Sequence, residues 1–152
     1  MKLEIPEPLT REHEALHRRL HEATEAGGAV AEAARHLIEV MHPHFVREEE
    51  IAMPPLALLL PLSRGEYTPD MDAVLELTDA LAAELPGMLA EHGEIRAAVG
   101  RLAEAARDAG REDIAGFCDD LGLHARTEEE VLYPAALLVG ELVRRHRQEA
   151  AA

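Results

Sequence analysis

The sequence predicts an all-α fold: an up-down-up-down four-helix bundle with a pseudo-twofold internal repeat, occupying residues 1–152 as one domain. Three observations carry that expectation. Apolar residues recur at steps of three and four along nearly the whole chain, which is rich in Ala, Leu, Glu and Arg and holds no convincing strand. Glycine and proline signals cut the chain into four long segments with short connections, and neighbours joined that tightly must run antiparallel. The third observation is repetition: HFVREEEIAMP, from His44 to Pro54, returns as HARTEEEVLYP, from His124 to Pro134, at an offset of 80.

The first helix is expected from about Thr10, its N-cap, to Glu25, with Gly27 and Gly28 as the stop. A second runs from about Ala29 to Leu60, bent or interrupted by Pro43, Pro54 and Pro55. Residues Pro61 to Pro69 read as a loop. Thr68 and Pro69 are the N-cap and first position of a third helix, which continues to Ala109 with an irregularity at Pro86 and stops at Gly110. The fourth fills Arg111 to about Arg147. The first and third helices echo each other too, EHEALHRRL from Glu12 against EHGEIRAAV from Glu91. Each half of the chain is thus a helix pair that supplies one His from its first helix and one HxxxE from its second.

Composition narrows the function. With 47% hydrophobic and 30% charged residues in 152, the chain reads as globular, and a chain of that length buries roughly two-thirds of its unfolded surface. A net charge of -15 repels phosphates and anionic headgroups, so no nucleic acid and no membrane surface is expected as a partner, whereas metal cations are. The longest apolar run, Leu56 to Leu60, is far too short to span a bilayer, and MKLEIPEPLTREHE lacks a signal-like core, so a cytoplasmic location is expected. Cys118, alone, forms no internal disulfide and reads as a small core or edge residue.

The facing of the polar residues matters more than their identity. In the second helix the stripe Leu37, Met41, His44, Glu48, Ile51 steps by four, three, four and three, which sets His44 and Glu48 within an apolar face. Phe117, Leu121, His124, Glu128 and Val131 repeat that pattern in the fourth. His92 falls in the stripe Leu85, Leu89, Ile95, Val99, and His13 in Leu9, Leu16, Leu20. Each helix therefore points one imidazole at the bundle axis. Of each EEE triplet, only Glu48 or Glu128 lies within roughly 40° of its His, and the other two rotate toward solvent. Any one of these His could be a core residue bonded to a carbonyl, but four His and two carboxylates buried together are costly without a common partner. A pair of metal ions supplies one, and all-N/O ligation suits iron first, with manganese or zinc behind.

His on the first helix, HxxxE on the second, His on the third and HxxxE on the fourth: the arrangement resembles the hemerythrin-like family, the HHE cation-binding domain, from His13 to Pro134. The resemblance implies a non-haem di-iron centre with His13, His44, Glu48, His92, His124 and Glu128 as ligands. It implies further that Glu48 and Glu128 bridge the irons together with an oxo or hydroxo group, and that O2, NO or peroxide is the small ligand. Leu16, Leu89, Ile95, Ile51 and Val131 are expected as apolar walls that keep out bulk water. Oxygen-carrying hemerythrins place a second His four residues on in the third helix, where this chain has Arg96, and a bridging Asp five residues beyond the last His, where it has Glu128 at four. The additional His stands on the first helix instead, as His17, a candidate ligand to the other metal. These departures weaken oxygen carriage, favour binding or sensing of a small ligand, and leave open a redox enzyme acting on peroxide or NO.

Other readings fare less well. HEALH, His13 to His17, spells a zincin motif, but its repeat counterpart HGEIR keeps only the first His and no third ligand follows downstream. A ferritin-like oxidase needs ExxH on two helices, and the chain spells it only at Glu14–His17 and Glu39–His42, with neither on the last two helices. A metal-free helical interaction module is the third class. Tyr67 and Tyr133 fall near enough to approach the site, although surface or packing places suit them better, and His21, His36, His42 and His146 read as solvent or edge residues.

Overall fold

The computed structural model describes residues 1–152 and contains helices and turns without a strand. Its α-helices are α1 (Glu7–Ala23), α2 (Gly28–Arg47), α3 (Leu59–Ser63), α4 (Val74–Asp108), α5 (Glu112–Thr127) and α6 (Tyr133–Ala151). They make a four-helix bundle, because α5 runs on into α6 through a wide turn at Glu128–Leu132, and α2 runs on through Glu48–Ala52 and a tight 3-10 turn at Pro54–Leu58 into α3. Contacts pair α1 with α2 and α5, and α4 with α2, α5 and α6.

The first helix starts three residues before the expected Thr10. Pro6 takes the cap position, its carbonyl accepting from the N–H groups of Leu9 (2.9 Å) and Thr10 (3.3 Å). Pro8 costs nothing in the first turn, where its missing N–H would have had no partner. Gly27 and Gly28, at φ 74 and 57, make the reversal into α2, a left-handed backbone that a side chain would strain. The expected loop after Leu60 is shorter, since α3 reaches Ser63, and the residues from Pro69 to Ala73 form a 3-10 turn before α4 begins. Pro43 and Pro86 do not interrupt α2 or α4. Both prolines lie on exposed faces, as do Glu39 and Ala82 four residues back, so water reaches the freed carbonyls.

The wide turns are the feature that the helical periodicity did not predict. Met53 N–H bonds to the Glu48 carbonyl, five residues back, at 3.0 Å, and Tyr133 N–H bonds to that of Glu128 in the same way. Proline follows directly in both places, as Pro54 and Pro134. A proline has no N–H to give, and its ring crowds the carbonyl four residues back, so the preceding turn opens to π geometry. The extra residue shifts everything beyond it by roughly 100° around the axis. Tyr133 and its counterpart Met53 consequently turn inward, each at 2% exposure, while Val131 faces solvent at 55%, against the expectation that it walls the site, although Ile51 at the same place in the other turn is buried. Leu89 is a second correction, 40% exposed, because α4 turns Met88 to the core one turn before His92.

Two apolar clusters flank the buried polar residues, and a third, with Leu62, Val74 and Val143, closes the far end beyond the second. The first holds Leu16, Leu20, Leu37, Met41, Phe45, Ile95, Leu102 and Leu121. The second holds Ile51, Leu81, Met88, Tyr133 and Ala136. No helix is long and apolar enough to cross a membrane.

Candidate metal centre

Between these clusters lie the six residues that the stripes point inward. His13 and His92 come from α1 and α4, His44 and His124 from the last turns of α2 and α5, and Glu48 and Glu128 from the first residues of the two wide turns; all six are at most 6% exposed. Their donor atoms converge as two groups, His13, Glu48, His124, Glu128 and His44, Glu48, His92, Glu128, each with its atoms within 4.8 Å of one another. Both carboxylates belong to both groups. A cation in each would therefore share them as bridges.

The hydrogen bonds fix which imidazole nitrogen faces the centre. His13 Nδ1–H donates to Glu49 at 3.2 Å, His44 Nδ1–H to Glu91 at 3.0 Å and His92 Nδ1–H to Glu129 at 2.9 Å, while His124 Nδ1–H donates to Glu12. Each of these carboxylates sits on the next helix around the bundle, so the four bonds close a ring: α1 to the α2 extension, α2 to α4, α4 to the α5 extension, and α5 back to α1. With Nδ1 bonded to these carboxylates, the Nε2 atom of each ring faces the centre. Glu49 and Glu129 thus do not simply face solvent, as their place in the EEE triplets suggests. They reach sideways to the neighbouring helix.

The donor chemistry fits a cation. His13 Nε2, His124 Nε2, Glu48 Oε2 and Glu128 Oε2 are buried with no hydrogen-bond partner. These atoms face one another: His13 Nε2 stands 3.6 Å from Glu48 Oε2 and 4.0 Å from Glu128 Oε2, and His124 Nε2 is 3.3 Å from Glu128 Oε1. Donors held at roughly 2.1 Å around one ion stand about 3.0–3.4 Å apart, close to these separations. The other half differs. His44 Nε2 bonds to Glu48 Oε1 and lies 2.8 Å from His92 Nε2, and Tyr133 O–H donates to Glu48 Oε1 at 2.6 Å.

Electrostatics show how the metal-free site copes with this crowding. Burial lowers the pKa of His13, partly offset by Glu48, so its ring stays neutral. For His44 burial works the same way, but the hydrogen bonds to Glu48 and Glu91 outweigh it and raise the pKa. Glu48 is desolvated, yet the bond from His44, with the His92 ring nearby, holds it well below the usual carboxylate range. Glu128 goes the other way, pushed up by burial and then by the Glu48 charge. Two carboxylates this close do not both ionise without added positive charge.

His17, the candidate seventh ligand, is half-buried one turn from His13, with its ring edge-on to Phe45 at 4.8 Å between centroids. It belongs to neither converging group. Tyr67 lies elsewhere, donating to Asp72 at 3.0 Å and stacked on His146. Tyr133, expected as a packing residue, stands at the centre, and burial with the Glu48 charge keeps its phenol protonated. The four outer carboxylates carry a sequence signal that is visible in retrospect, since each adjoins a ligand candidate: Glu12–His13, Glu91–His92, Glu48–Glu49 and Glu128–Glu129.

Comparison with protein families gives one finding. The family model of the hemerythrin HHE cation binding domain matches residues 5–136, and a second match covers residues 85–152. No curated protein and no solved structure matches.

Proposed function

The chain belongs to the hemerythrin HHE cation-binding family, and from that premise we propose that it holds two iron ions and uses them to bind or sense O2 or a related small ligand such as NO or peroxide. In this reading His13 and His124 serve one ion, His44 and His92 the other, and Glu48 and Glu128 both. Manganese or zinc is the alternative content. The observation that supports it most directly is the set of four facing donors buried without a partner, two imidazole nitrogens and two carboxylate oxygens.

An iron pair held by these residues would, when ferrous, supply electrons to a small ligand. The chain's own contribution is orientation and shelter. Glu12, Glu49, Glu91 and Glu129 hold each imidazole with Nε2 inward. Phe45, stacked on His13 with ring centroids 4.5 Å apart, joins Leu16, Ile95 and Ile51 in excluding bulk water.

A redox enzyme that turns over peroxide or NO is the second reading. Tyr133 favours it, a phenol O–H buried within hydrogen-bonding distance of the carboxylate and imidazole donors. One experiment separates the readings: metal quantification with an absorption spectrum before and after anaerobic reduction and exposure to O2. Reversible spectral change with stoichiometric iron supports binding or sensing. Turnover of peroxide or NO supports the enzyme, and absence of stoichiometric metal removes both.

A further inference from the structure

The two halves of the centre are not copies. Phe45 has Ala125 as its repeat counterpart, and Tyr133 has Met53. Phe45 covers the His13 side with a stacked ring that offers no hydrogen bond, and the donors there have no partners. Tyr133 covers the His44 side, where the donors are already engaged. Its hydroxyl donates to Glu48 Oε1 at 2.6 Å and lies 3.2 Å from His92 Nε2, while His44 Nε2 also bonds to Glu48 Oε1. A buried polar atom with no partner is costly, so a cation that satisfies it gains more than one that must first break bonds already made.

We infer that the two cation positions are inequivalent and that Tyr133 is the positioning residue that makes them so. The His13 and His124 position fills first. The His44 and His92 position fills second and more weakly, because Tyr133 and His44 Nε2 together occupy both lone pairs of Glu48 Oε1, and these bonds have to yield before that oxygen turns to a cation. This inference rests on the reading of the site as a two-cation centre.

Titration of the full-length metal-free protein with Co(II), followed by absorption, and with Zn(II), followed by calorimetry, tests it. Two steps are expected, with Kd values separated by on the order of tenfold or more, the size expected for displacing one charge-assisted hydrogen bond. Tyr133→Phe keeps the ring and removes the hydroxyl; it tightens the second step roughly tenfold and leaves the first in place. His44→Ala removes the weak step and keeps the tight one, and His13→Ala does the reverse. A Tyr133 that only packs would move both steps together. The inference is overturned by one step of two equal ions, by an unchanged separation in Tyr133→Phe, or by loss of the tight step in His44→Ala. A protein that takes up no Co(II) or Zn(II) overturns the two-cation reading itself.

Discussion

Removing Glu129 should weaken metal binding more than removing Glu49, and the two losses should fall on different ions. Glu129 accepts from His92 at 2.9 Å, is only 23% exposed, and is braced by Arg96. Its carboxyl is held below the usual range, burial being outweighed by His92 and Arg96. Glu49 accepts from His13 over a longer 3.2 Å and is 47% exposed, so water competes for both groups. Loss of a carboxylate that orients a ligating imidazole costs about 10- to 100-fold in affinity, or about 1.4–2.7 kcal/mol. The shielding and bracing set Glu129→Ala near the upper end, about 100-fold, and Glu49→Ala near the lower, about 10-fold. The mechanism is tautomeric: an imidazole freed from its carboxylate can carry its proton on Nε2 and block its own lone pair. Chelator-competition titration with Co(II) measures both constants. Because Glu129 holds His92 and Glu49 holds His13, the first variant should weaken the second step and the other variant the first. Equal losses, or a larger loss for Glu49→Ala, would refute the reasoning, and Glu129→Gln, which keeps an acceptor oxygen, should recover most of the affinity.

Three further outcomes are expected. A Cβ at position 140 would meet Thr78 Cβ at 2.7 Å, so Gly140→Ala should cost about 1–3 kcal/mol in urea denaturation, and adding Thr78→Ala should recover part of it. Burial, then Asp119, pushes the Cys118 thiol up to about 11, so a disulfide reagent at pH 8 should react slowly with the native protein and quickly once urea unfolds it. Glu128 has a folded pKa raised above its ordinary 4.5, so the stability it contributes is complete below that value and is lost as pH rises toward the folded pKa. Glu128→Gln should therefore make the metal-free protein more stable than wild type at pH 8, with the gap closing as pH falls toward 4.5, while metal uptake falls. Thermal melts across pH read the first effect and metal titration the second.

The inward-facing residues were legible because a periodicity of 3.6 is a property of one segment at a time. His44 and Glu48, or His124 and Glu128, fall on one stripe whatever the rest of the chain does, and the structure buries all four. Phase was lost where that assumption of a constant turn failed. Counted on a regular helix, Tyr133 stands about 140° from Glu128, away from the axis. Across the π turn five residues act as four, which brings Tyr133 to about 40° and its hydroxyl to Glu48. The cause was present in both copies of the repeat, a proline six residues after the buried Glu, and it would have allowed the shift to be read beforehand.

The ring of outer carboxylates was hidden for a different reason. Glu12, Glu49, Glu91 and Glu129 each sit one position from a residue that faces the axis, about 100° around, where a single-helix view assigns them to water. That angle directs a side chain along the seam toward the adjacent helix, and in a closed four-helix bundle every seam brings such a carboxylate beside the neighbour's imidazole. Each helix thus orients a ligand that it does not carry. The centre is consequently a property of the closed bundle: loosening any one helix frees the imidazole it carries and also the one it orients. Helix packing and ligand tautomer are tied together, which is a physical reason for a metal-binding bundle to place a second carboxylate beside each buried donor.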